Sequence, residues 1–290
     1  VEKSFSLLKA NAVVKPDDLR FYSFNKNIAD VDENTGLVTP TGGKYGMAII
    51  MVKDLSSGYS AIVRVGIRPV DAVAMPMIAA GANHMVAVKA NGTVWTWGYN
   101  GNGELGIDNN KNSSVPVQVL KGEQGSDSGY LENIIQVAAG SNHTVALDAN
   151  GDIWTWGYNA NYELGRTITD PQQQRVPGKV QGLSDVVSMA TGYYHTLVIK
   201  KDGTVYSWGH NGHGCLGNGD ATNTAIPQKV RGGATGNAYL TDIVQVTAGY
   251  YHSMALKANG TVFAWGNGEY GQLGNNNTNT SYVPVQVDDG

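Results

Sequence analysis

Four of the six histidines occupy the same setting, Gly-x-x-His, as His84, His143, His195 and His252. A set of equivalent imidazoles is a donor set for zinc or copper, so metal binding is the first chemistry to weigh. Coordination reaches only about 2.1 Å, whereas one histidine per repeat puts the equivalents on separate units. The spacing favours a structural donor instead, each imidazole tying a loop carbonyl inside its own unit. Asp30-x-Asp32-x-Asn34-Thr35-Gly36 opens like a calcium loop, but its glycine comes one place late and Thr41 stands where a bidentate glutamate is needed. That segment reads as a turn with exposed carboxylates. Asp127-Ser128-Gly129 has no nucleophile elbow or oriented His–Asp partnership around it, and Gly42-Gly43-Lys44 lacks phosphate-cradling spacing. No catalytic residue, metal site or cofactor is expected.

Repetition identifies the elements that must position these histidines. Trp95-Thr96-Trp97-Gly98, Trp154-Thr155-Trp156-Gly157, Tyr206-Ser207-Trp208-Gly209 and Phe263-Ala264-Trp265-Gly266 mark four copies. Gly81, Gly140, Gly192 and Gly249 open the histidine motif upstream, and Leu-Gly closes each block at Gly106, Gly165, Gly217 and Gly274. The offsets are 59, 52 and 57 residues at all three landmarks, so length varies only in the connectors. Met85–Lys89 and Thr93–Trp97 flank Asn91-Gly92, and Asn150-Gly151, Asp202-Gly203 and Asn259-Gly260 repeat that pair. This predicts an antiparallel hairpin with a type I′ turn. An apolar run before the glycine, such as Ile134–Ala138, and a proline-bearing run, such as Val115–Val119, complete four short strands. Four strands repeated in this way predict propeller blades, with Trp97, Trp156, Trp208 and Trp265 as blade-to-blade core.

The series Ala-Gly-x-x-His, Asp/Asn-Gly, Trp-Gly-x-Asn-x-x-x-x-Leu-Gly and Pro-x-x-Val resembles the regulator of chromosome condensation repeat over residues 71–290. Gly268 and Tyr162 are its small departures from the pattern. The resemblance implies a β-propeller, typically seven-bladed. Four repeats, at about 71–120, 121–182, 183–232 and 233–290, then imply a partial, capped or self-associating ring. Residues 1–70 lack the repeat; runs such as Gly46–Val52 and Ala61–Val65 alternate between turn signals. Their order is similar to the second group of bacterial immunoglobulin-like domains, which implies a small β-sandwich on a bacterial surface or secreted protein, joined through Arg68-Pro69-Val70. The expected fold class is all-β throughout, and the expected location is extracellular or at the cell surface.

Composition narrows the function. Net charge is −4 and the pI about 5.8, which argues against a nucleic-acid binder. No apolar stretch reaches the ~18–20 residues of a membrane span, Val1-Glu2-Lys3-Ser4 does not read as a signal peptide, and Cys215, the single cysteine, permits no intrachain disulfide. What remains is variation inside a constant frame. The middle of Gly-x-x-His is Ala82-Asn83 and Ser141-Asn142, then Tyr193-Tyr194 and Tyr250-Tyr251. After Trp-Gly come Tyr99, Tyr158, His210 and Asn267, and three places on Asn102, Asn161, His213 and Tyr270. Tyrosine brings rigid contact area with a hydroxyl handle. Tyr158, Tyr162, Tyr193, Tyr194, His210, His213, Tyr250, Tyr251 and Tyr270 are therefore expected to form a partner-binding rim. The expected function is a non-enzymatic binding or scaffold module for a protein partner. The alternative is a carbohydrate-binding surface, and the resemblance adds a β-lactamase inhibitor or a guanine-nucleotide exchange factor.

Overall fold

The computed structural model describes residues 8–9, 12–13, 18–41, 46–56, 58, 60–67, 73–233 and 238–288. Its named elements are all strands apart from one 3-10 turn, Pro171–Arg175. The chain forms two compact units, Val1–Met75 and Pro76–Gly290.

In the first unit, Leu19–Ser23, Gly46–Asp54 and Ser60–Ile67 make an antiparallel sheet with Gly46–Asp54 in the middle. Ala29–Val31 pairs with Val38–Pro40, and Leu8–Lys9 with Ala12–Val13. Strand alternation turns Ala48, Ile50 and Val52 inward onto Leu19, Phe21 and Ala29. The unit is all-β, but its described sheets do not show the small immunoglobulin-like sandwich expected of residues 1–70, and Arg68-Pro69-Val70 lies outside the described residues. The calcium-like segment is a turn. Asp32 Oδ1 accepts from the Asn34 and Thr35 amides and from the Thr35 hydroxyl, and these bonds hold its carboxyl below the usual range.

The second unit contains four four-stranded antiparallel sheets, each a meander in chain order. Blade 1 is Met77–Ala80, His84–Val88, Val94–Gly98 and Ser113–Gln118. Blade 2 is Ile134–Ala139, His143–Asp148, Ile153–Gly157 and Gly178–Lys179; blade 3 is Val186–Thr191, His195–Lys200, Val205–Gly209 and Thr224–Lys229. Blade 4 is Ile243–Ala248, His252–Lys257, Val262–Gly266 and Ser281–Gln286. The hairpin between second and third strands is present in all four, but its turn is not type I′. Gly92 N–H donates to Lys89 O and Lys89 N–H to Thr93 O, and only Gly92 of the Asn91-Gly92 pair has positive φ. That is a three-residue type I turn closed by a glycine bulge. Asn91 serves through its side chain, accepting from the amide and hydroxyl of Thr93.

The core lies between blades. Val145, Leu147 and Ile153 of blade 2 pack with Val186, Met189, Val198 and Trp208 of blade 3, and Leu197, Ile199 and Val205 pack with Ile243, Val246 and Trp265 of blade 4. Connectors add Leu131, Leu183 and Leu240. Each of the two long connectors closes on itself, with bridges Leu120–Tyr130 and Arg231–Tyr239.

Candidate functional site

Buried polar groups between the blades set the frame of the rim. His84 Nε2 lies 2.9 Å from Thr144 Oγ1, His143 Nε2 3.3 Å from Thr196 Oγ1, and His195 Nε2 2.8 Å from Ser253 Oγ. The histidine therefore does not tie a carbonyl in its own blade, as its motif predicted; it crosses to a hydroxyl of the next. Thr144 donates onward to Glu104 O (3.0 Å) and Ser253 to Cys215 O (2.8 Å), so these hydroxyls accept from a neutral Nε2–H imidazole. Burial pushes His84 down to about 4 and His143 and His195 down to about 3. Nδ1 of His143 and His195 is buried without a partner, which fits that tautomer. Among the described residues no three His, Cys, Asp or Glu side chains converge as a metal-ligand set.

The tryptophans complete the lock. Trp156, Trp208 and Trp265 donate their indole N–H to Glu104 O, Glu163 O and Cys215 O of the preceding blade at 2.8–2.9 Å. A Cβ at Gly106, Gly165 or Gly217, all at positive φ, would strike that indole. The histidine motif needs its glycine for a similar reason: a Cβ at Gly140 or Gly192 would overlap the imidazole three residues on. Trp97 and His252, at the ends of their series, are only partly buried.

Backbone bonds link the rim loops. Ala82 N–H donates to Ser141 O, Ser141 N–H to Tyr193 O and Tyr193 N–H to Gly249 O, linking the four loops in turn. Tyr99, Tyr158, His210 and Asn267 N–H groups donate to Asn83, Asn142, Tyr194 and Tyr251 O within each blade. In blade 2 the Asn142 side chain adds a bond to Glu104, whereas on blades 3 and 4 the corresponding positions are tyrosines. On blades 3 and 4 they form a tyrosine quartet. Tyr193 and Tyr250 stack at 3.9 Å and 19°; Tyr194 meets Tyr193 edge-on at 4.5 Å, and Tyr251 meets Tyr250 at 4.4 Å. Tyr158 joins Tyr194 at 6.5 Å from blade 2, while His210 and His213 flank Tyr251 at 5.2 and 4.5 Å. Seven of the nine predicted rim residues are therefore brought together. Tyr162 and Tyr270 make none of these ring contacts and project into solvent, 47% and 85% exposed. Tyr162 replaces a positive-φ glycine at φ 68°, which directs it out of the rim.

Two contributors escaped the sequence reading. Cys215 lies beneath the patch, its thiol donating to His210 O at 2.8 Å, and Asn267 reaches His213 at 3.4 Å. The substitution of Cys215 for Glu104 and Glu163 at one frame position was the available signal. Beside the quartet opens a pocket of about 260 Å³, lined on blades 1 and 2 by small residues such as Ala82 and Ser141 and on blades 3 and 4 by Tyr193 and Tyr250. Desolvation and neighbouring phenols raise the Tyr194 and Tyr250 hydroxyls above the usual phenol range.

Residues 60–290 match the RCC1-like domain family. Over 225 residues the chain is 33% identical to the ultraviolet-B receptor UVR8 of Arabidopsis thaliana, covering 76% of this chain and 48% of that protein. Over 278 residues it is 30% identical to the protein pim1 of Schizosaccharomyces pombe, covering 88% and 49%. The chain thus spans about half the length of these relatives, both eukaryotic. The crystal structure of human WBSCR16 matches with a TM-score of 0.63 at 23% identity, covering 85% of this chain and 65% of that one. Yeast RCC1 (Prp20) bound to Kap60 matches with a TM-score of 0.61 at 18% identity, covering 96% and 72%. From the histidine motif to Leu-Gly, the repeat and the sheets it builds agree with this match: the chain belongs to the RCC1-like domain family.

Proposed function

We propose that this chain is a non-enzymatic protein-binding module whose contact surface is the aromatic rim of blades 2 to 4. The observation that carries this is the convergence of Tyr158, Tyr193, Tyr194, Tyr250, Tyr251, His210 and His213 on loops whose backbones are already satisfied. Exposed aromatic clusters supply most of the energy in protein interfaces. A similar fold in complex with Kap60 supports protein as the class of partner. Replacing Tyr193, Tyr194, Tyr250 and Tyr251 with serine should abolish capture of a partner identified with the parent chain, while circular dichroism and unfolding midpoint stay close to the parent. Unchanged affinity in a folded variant refutes the reading. Nucleotide release from a small GTPase, inhibition of a β-lactamase or binding on a glycan array, each lost in that variant, would select one of the alternatives. An extracellular or cell-surface bacterial location belongs to the same proposal, on the resemblance of residues 1–70, and cell fractionation checks it.

A second observation bears on assembly. Trp97, the first tryptophan of the series, is only half-buried, and the three atoms nearest a Cβ at Gly274 (φ +62°) all belong to Val287, with no indole among them. These are the two halves of the lock that closes each internal interface, and they support head-to-tail association of copies. Light scattering should show concentration-dependent mass that Trp97→Ala reduces; a monomer at all concentrations refutes it.

A further inference from the structure

The rim tyrosines engage one another, and their arrangement presets a covalent reaction between two of them. Tyr193 and Tyr250 lie 57 residues apart, on blades 3 and 4. Their rings stack at 3.9 Å with planes 19° apart. The Tyr250 hydroxyl is hydrogen-bonded to those of Tyr193 and Tyr251. A hydroxyl contact between two nearly parallel rings at that separation sets them head to head. The Cε carbons beside one oxygen therefore lie over those beside the other. These are the ring carbons that share the unpaired electron when a phenol is oxidised to a phenoxyl radical, and two such radicals join there. The other close pairs, Tyr193–Tyr194 and Tyr250–Tyr251, meet edge to face at 88° and 76° and lack that overlay.

The surroundings serve the same reaction. Tyr250 is 48% exposed, so an oxidant reaches the stack from solvent. Tyr194 stands 6.2 Å from Tyr250, and Tyr158 6.5 Å from Tyr194. Electron exchange between like phenols is close to thermoneutral, so a radical formed on any of these rings can settle on the stacked pair. Oxidation of a phenol releases its proton. His213 and His210, 4.5 and 5.2 Å from Tyr251, place imidazole bases beside the hydrogen-bonded phenols. The competing sink is the Cys215 thiol, which is buried and held protonated, its pKa pushed up to about 12. A buried, protonated thiol is a slow target for oxidants.

We propose that Tyr193 and Tyr250 are an oxidative coupling site, which a peroxide acting through a haem peroxidase converts into a dityrosine staple between blades 3 and 4. Each phenol gives up one electron and one proton. A Cε–Cε bond forms, and the hydrogen on each joined carbon moves to the oxygen of its own ring. The two electrons and two protons released split the O–O bond of hydrogen peroxide and leave two waters. Coupling does not depend on what the rim binds.

The test treats the full chain with hydrogen peroxide and a haem peroxidase, followed by dityrosine fluorescence and tryptic mass spectrometry. Lys179, Lys200, Arg231 and Lys257 bracket the pair. Residues 180–200 and 232–257 should therefore appear joined, lighter than their sum by two hydrogens, in chains that run as monomers on a denaturing gel. Fragmentation should place the bond on Tyr193 and Tyr250. Tyr193→Phe and Tyr250→Phe keep the ring but remove the reacting phenol, and each should lose this product. Tyr162→Phe, outside the ring contacts, should keep it in full yield. Closing a loop of 57 residues should raise the urea midpoint of the cross-linked monomer by about 1 M. No joined pair, a bond located on Tyr194 or Tyr251, undiminished yield in Tyr193→Phe, or an unchanged urea midpoint overturns the proposal.

Discussion

The inter-blade histidines make acid the sharpest perturbation of this fold. His84, His143 and His195 are 2%, 1% and 0% exposed, and burial holds them neutral down to about pH 4 and 3. In the unfolded chain each titrates near 6.5. Folded values below unfolded values mean that the unfolded state binds more protons, so stability is fully present above pH 6.5 and is lost as pH falls. Each group costs about 1.4 kcal/mol per pH unit below 6.5 until its folded value is reached. At pH 5 that is about 2 kcal/mol per histidine and ~6 kcal/mol for the three. A domain holds only about 5–15 kcal/mol, so the propeller unit should lose most of its stability between pH 6.5 and 4. Glu163 acts in the opposite sense, since burial raises its pKa and a proton favours the folded form, but it is one group against three. Urea unfolding followed by tryptophan fluorescence at pH 7.5, 6 and 5 measures the slope. His143→Gln should remove about a third of it, from ~6 to ~4 kcal/mol across that range. A flat stability profile, or resonances of His84, His143 and His195 in the folded protein titrating near 6.5, would refute the assignment of these groups as buried neutral donors.

Three further outcomes follow from the same lock. Gly165→Ala and Gly274→Ala carry the same backbone strain at φ +62°, but only at Gly165 does the new methyl strike an indole; the first should cost about 1–3 kcal/mol more than the second in urea unfolding. Thr144→Val strands the His84 N–H and should cost about 1–3 kcal/mol, whereas Thr144→Ser, the residue type used at Ser253, should stay within ~1 kcal/mol of the parent. Burial pushes the Cys215 thiol up to about 12, so a disulfide reagent should label it only on unfolding, with the urea dependence of global stability.

The repeat made the blades legible because each of its fixed residues answers one steric demand. Glycine before the histidine leaves room for the imidazole, Leu-Gly seats the next indole, and Asn-Gly turns the hairpin. What the sequence could not specify was direction across blades. His84 and Thr144 are 60 residues apart, and nothing in either motif says whether the imidazole turns inward or onward. The turn type was misjudged because Asn-Gly fits two geometries, and only the backbone bonds from Lys89 decide between them. The first unit was least legible: alternation located its strands but not their pairing.

The rim illustrates why candidate sites in repeats are sought where the frame is silent. At Ser141 and Tyr193 the backbone N–H donates to a carbonyl of the next loop, Tyr193 O and Gly249 O respectively, whether the side chain is a hydroxymethyl or a phenol. Folding is therefore indifferent to those side chains at first order, and large aromatics there need another reason. The quartet supplies part of one, since Tyr193 and Tyr250 satisfy each other by stacking. Mutual stacking does not account for Tyr158, His210 and His213, which come from the Trp-Gly loops of blades 2 and 3 and converge on Tyr194 and Tyr251. Independent loops filling one surface with rings is what a binding face requires and what loop closure does not.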